Sequence, residues 1–178
     1  MKGKMPIIAT LALVIISISS ASSRAAHICR ETITPTTPDS QFVEHHDATV
    51  TDTRTGLMWK RCSEGQQWDG TTCTGQAITF TWQQALEYAQ AHTHSQYSDW
   101  RVPNVKELAS LMENACTQPT INTRIFPATP SERYWTSSPA PRRPGASWNI
   151  RFLSGHSYTY DNWQLSHIRL VRPGAQQQ

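Results

Sequence analysis

The sequence predicts a disulfide-stapled α+β domain. Three observations predict it: two helical stretches each open on a capping box, short alternating runs of β-formers are separated by turn residues, and four cysteines follow an apolar leader. Seven tryptophans are a heavy load for the length. Each buries roughly 150–250 Å², so the core is expected to be aromatic-rich, with one or two indoles left for a ligand face.

Residues 1–25 read as a signal peptide. Lys2 and Lys4 give a basic start, Ile7 to Ile18 is apolar, and Ser23-Arg24-Ala25 puts small residues at the cleavage positions. The apolar run falls short of the ~20 residues that span a bilayer. The expectation is therefore export, to the periplasm, cell surface or medium, with no integral membrane segment once the leader is removed. Without Lys2, Lys4 and Arg24 the 16 basic side chains fall to 13, equal to the 13 acidic ones. A near-neutral exported chain is not expected to bind nucleic acid. The halves differ: Ala26 to Cys116 holds six Lys/Arg against eleven Asp/Glu, and the rest holds seven against two. Either the asymmetry steers a polyanion to one face or the halves neutralise each other across the fold.

Residues 26–47, rich in Thr, Pro and Asp, read as an extended arm pinned by Cys29. Ala48 to Asp52, a turn, and Leu57 to Lys60 form a hairpin. Helix one is capped by Thr81 with Gln84 in the box position and carries Trp82, Ala85, Leu86 and Ala89 on one face. Helix two is capped by Asn104 with Glu107, carries Val105, Leu108, Leu111 and Met112, and ends over Asn114 to Cys116. The last third reads as strands over Tyr134–Ser137, Trp148–Leu153, His156–Tyr160 and His167–Arg172, with residues 173–178 as a disordered tail.

Four exported cysteines allow three pairings into two disulfides. Cys62 and Cys73 bracket a short Gly-containing loop, and closing such a loop is worth roughly 3 kcal/mol in the chain-entropy model. Pairing them leaves Cys29 with Cys116. Close Cys/His pairs of zinc-site spacing are absent from the sequence. His45-His46-Asp47 reads as a solvated turn, because adjacent strand histidines point to opposite faces. His92 and His94 read as complements to a helix dipole, and Asp99 and Arg101 as a structural turn with an internal ion pair. No acid, base and nucleophile trio can be named, so a binding module is expected. An exported hydrolase and a self-associating structural envelope subunit are the alternatives.

A two-residue turn at Ser154-Gly155 would set Leu153 opposite His156, Arg151 opposite Tyr158 and Asn149 opposite Tyr160. Alternation then sends Trp148, Ile150 and Phe152 to the core. The other face displays Asn149, Arg151, His156, Tyr158 and Tyr160, extended by Asn162, Trp163, His167 and Arg169. Aromatic rings pack on sugar C–H surfaces, amides fix hydroxyls, and Arg forks onto sulfate or carboxylate.

The strings TDTRTGLMWKRC, DWRVPNVKEL, YWTSSP and IRLVR occur in this order over nearly the whole mature chain. Together they resemble the Lcl C-terminal domain family, named for the carboxy-terminal domain of a bacterial collagen-like adhesin. The resemblance implies a C-type-lectin-like fold, also similar to formylglycine-generating enzymes, with two helices packed on an irregular twisted antiparallel sheet over residues 48–172. It further implies an exported adhesin-type module whose partner is a sulfated or anionic glycan or a surface protein. The chain departs from wider lectin patterns. It has no collagen-like stalk, no Glu-Pro-Asn or Trp-Asn-Asp motif to support calcium, and no cysteine after Cys116 for formylglycine chemistry. No cofactor is expected.

Overall fold

A computed structural model describes residues 27–174. Residues 1–26, which include the expected signal peptide, and residues 175–178 of the expected tail lie outside the described residues. The strands are β1 (Ile28–Cys29), β2 (Phe42–Glu44), β3 (Thr49–Asp52), β4 (Leu57–Lys60), β5 (Gln67–Trp68), β6 (Cys73–Thr74), β7 (Cys116–Thr117), β8 (Arg133–Pro139), β9 (Ala146–Arg151), β10 (His156–Asp161) and β11 (Val171–Pro173). Between β6 and β7 lie two helices, α1 (Trp82–Ala91) and α2 (Val105–Ala109). The main sheets run in the orders β11-β4-β3-β2 and β10-β9-β8, all antiparallel. The expected α+β class holds.

Both helices start where their caps predict. The Thr81 hydroxyl accepts from Gln84 N, and the Gln84 side chain accepts from Thr81 N at 3.0 Å. Asn104 Oδ1 accepts from the N–H groups of Lys106 and Glu107, and Glu107 accepts from Asn104 N at 2.8 Å. Helix α2 is much shorter than its apolar stripe suggests. Leu111 N and Met112 N turn back to the carbonyls of Leu108 and Ala109, a 3₁₀ tightening, and Glu113 N leaves for Thr120 O.

The arm is less separate than expected. Its end supplies β2, which pairs with β3, and Cys29–Cys116 ties its start to β7. Cys62–Cys73 closes the other loop, so the favoured pairing is the observed one. Pro173 pairs with Leu57, and Gly174 N donates to Gly56 O at 2.8 Å, so the chain stays ordered past its expected end.

Two cores result. One joins Phe42, Val50 and Trp59 to Leu108, Leu111, Tyr134, Ile150 and Phe152 between the sheets and α2. The other joins Met58, Phe80, Ala85, Ala89, Trp100, Trp135 and Ile168 beneath α1. Because adjacent residues Tyr134 and Trp135 enter different cores, strand β8 is covered on both faces. Asp99 and Arg101 do not pair with each other: Arg172 Nε donates to Asp99 at 2.7 Å, and Arg101 forks onto Glu107 at 2.7 Å.

Candidate functional site

The three-stranded sheet carries the expected face in a different register. Arg151 lies opposite His156, Asn149 opposite Tyr158 and Ser147 opposite Tyr160. The connection is the four-residue loop Phe152–Gly155, because Phe152 is engaged elsewhere. Its carbonyl accepts from Thr120 N at 2.6 Å and from the Thr120 hydroxyl at 2.5 Å, and its own N–H donates to Glu132 O at 3.0 Å. A slip of two residues conserves the faces, so Arg151, His156, Tyr158 and Tyr160 still share one side.

Strand β8 adds a residue that the sequence reading missed. Arg133 lies opposite Arg151. The row across the three strands is therefore Arg133, Arg151, His156: two guanidiniums and an imidazole side by side. Cations placed directly opposite one another destabilise a sheet. Among the described residues neither arginine forms an ion pair, and the buried Nε of each lacks a hydrogen-bond partner. The Arg133 guanidinium lies 4.8 Å over Tyr160 and 6.0 Å from the Tyr158 ring. Tyr158 is 43% exposed.

The neighbouring loop brings Trp163, 71% exposed, and Leu165 to the surface. A cleft of about 240 Å³ lies between Arg133, Tyr160, Leu165, His167 and Glu132. His167 Nδ1 donates to Ile78 O at 2.9 Å, which leaves Nε2 as an acceptor, and burial holds its pKa below the usual imidazole value.

Two expected site residues are removed by burial. Asn149 has no exposed surface because it shares a face with Trp135, which α1 and Phe80 cover. Arg169 is also fully buried. Its guanidinium donates to the carbonyls of Lys60 and Arg61 and to the hydroxyls of Ser63 and Thr129, with Phe126 4.9 Å from its centre. Buried there, it rivets the fold. Asn162 is half-buried, with its N–H donating to Gly145 O at 2.8 Å. The one missed residue, Arg133, left only an ambiguous signal: alternation cannot orient a strand whose Tyr134 and Trp135 are both buried.

These features define a disulfide-stapled α+β domain with a cationic, aromatic-flanked sheet face. A family model for the Lcl C-terminal domain matches residues 48–172, and the chain belongs to that family. No curated protein matches the chain. No described helix is long and apolar enough to cross a membrane.

Proposed function

We propose that the chain is an exported, adhesin-type binding module, rather than an enzyme, that takes an anionic, hydroxyl-rich ligand such as a sulfated glycan. Family membership supports the adhesin-like class. The two helices, short sheets and two disulfides accord with a C-type-lectin-like fold. One observation carries the ligand class: Arg133 and Arg151 face each other across β8 and β9 without a carboxylate partner among the described residues. An oxyanion between them would offset the like-charge penalty and accept from both guanidiniums. Tyr158 and Trp163, both exposed, offer ring faces to sugar carbons, while the Tyr160 ring carries the Arg133 guanidinium.

The test is a glycan array followed by titration of the best hit at two salt concentrations. Arg133→Ala and Arg151→Ala are each expected to weaken binding about tenfold, equivalent to about 1.4 kcal/mol. Raising the salt should weaken the parent as well, since exposed charge contacts are screened. Folded variants that bind the whole panel as tightly as the parent would overturn the proposal.

A further inference from the structure

A second cavity, of about 530 Å³, opens between the β2–β3 turn, the loop after β4 and the end of α1. That size falls within the ~300–1,000 Å³ of small-molecule sites. None of its lining residues belongs to the cationic face. Trp68 forms part of the wall, with the Arg61 guanidinium 4.0 Å over its ring. Arg61 is itself paired with Glu44 at 2.7 Å, so that cation is already engaged.

The floor is a closed set of charges. The Glu64 side chain is 2% exposed; it has Lys60 Nζ 2.7 Å from one oxygen and accepts from the Tyr88 hydroxyl at 2.8 Å on the other. Lys60 Nζ also lies 2.9 Å from His92 Nε2. An ammonium only donates. His92 must therefore be neutral with its lone pair on Nε2, which rules out the dipole-complementing cation expected from sequence. One ammonium proton is thus taken by His92, while Glu64 Oε1 balances the charge without accepting a hydrogen bond, so donor capacity is left over. On the rim, Asp47 Oδ1 accepts from Thr49 N and from the Thr49 hydroxyl, which leaves this carboxylate with further acceptor capacity.

We infer that this cavity is a second ligand site, built for an uncharged hydroxylated ring of the neutral monosaccharide class. The Lys60 and Glu64 charges compensate each other at 2.7 Å, so the floor offers no net attraction to an anion or a cation. A hydroxyl can accept a free Lys60 proton, another can donate to Asp47, and the C–H face of a ring can pack on Trp68. The cationic face offers the reverse, charge without internal compensation, so the two sites select different chemistry.

The floor also makes the site sensitive to acid. His92 faces Lys60 from β4, Glu64 from the following loop, Tyr88 from α1 at 5.2 Å between ring centres, and His94 at 6.4 Å; His46 and Asp47 line the opposite rim. Burial, then the Lys60 charge, holds His92 below the usual imidazole value of 6.5, against the weaker pull of Glu64. A proton on Nε2 takes away the acceptor and sets two cations against each other. The Lys60 contact then breaks, and the donor leaves its place.

The experiment titrates the mature chain with the uncharged methyl glycosides of glucose, galactose, mannose and N-acetylglucosamine. Binding is followed by calorimetry and tryptophan fluorescence at neutral pH and at a pH well below the usual imidazole value. At least one glycoside should bind at neutral pH and bind about tenfold more weakly in acid. Trp68→Ala should abolish the interaction, and Arg151→Ala should leave it unchanged. Asp47→Asn, at an exposed rim position where the amide oxygen can still accept from Thr49, spares the fold, should weaken binding severalfold and gives a reading should Trp68→Ala unfold. Four results would overturn the inference: no glycoside binds, binding survives Trp68→Ala and Asp47→Asn, acid has no effect, or Arg151→Ala removes it. The last would assign the sugar to the cationic face instead.

Discussion

Glu113 is a carboxylate buried to 3% exposure that takes its stabilisation from hydrogen bonds alone. It accepts from Thr36 N at 3.0 Å, Thr37 N at 2.8 Å, the Thr37 hydroxyl at 3.0 Å and Ala115 N at 2.9 Å. Burial by itself would raise its pKa. The donors outweigh burial and hold it below the usual carboxylate value of 4.5. A carboxylate depressed in the folded state stabilises fully above its unfolded value, and that stabilisation is lost as pH falls through the folded one. Glu113→Gln keeps the shape but turns an amide toward N–H donors. It is expected to cost about 2 kcal/mol at neutral pH, with the gap between variant and parent closing as the pH drops below 4.5. Urea melts across that range would check it. A gap independent of pH would mean that the charge on Glu113 is immaterial.

At the scale of elements, helix α2 depends on its first turn. Asn104 satisfies two N–H groups, and Glu107 both closes the box and clamps Arg101. Asn104→Ala should therefore cost about 1 kcal/mol, read as a lower melting temperature, and Asn104→Asp should recover most of it. The caps were legible in the sequence because their partners lie three residues away. So were the β3–β4 hairpin and the Cys62–Cys73 loop, which are equally local. The register of β9 and β10 was not legible, since Thr120 and Glu132, far from Phe152 in sequence, decide which residues are free to pair. Asn149 was misassigned because alternation assumes one open face, whereas Trp135 and Tyr134 bury both. The Lys60–His92 contact spans 32 residues, and no spacing rule connects the end of a strand to the end of a later helix.

For the whole molecule, the acidic amino half and basic carboxy half meet in part. Arg124 joins Asp39 and Glu44, and Arg172 joins Asp99. Arg133 and Arg151 are outside this neutralisation and lie opposite each other on one sheet. The arm is held by Cys29–Cys116 across 87 residues of chain, a closure worth about 4–5 kcal/mol in the chain-entropy model. Paired Cys29→Ser and Cys116→Ser substitutions should lower the melting temperature and raise amide exchange at Arg30 and Ile33. Thr36 and Thr37, still bonded to Glu113, should stay protected. Uniform exchange along the whole arm would show that the disulfide is its sole tether.

Arg169 holds carbonyls 108 and 109 residues earlier. The backbone that presents Lys60 and Glu64 is thus unbraced until Arg169 itself has been made. A nascent chain in which that residue is still inside the ribosome would lack this brace, so the wall of the second cavity is among the last parts of the domain to set.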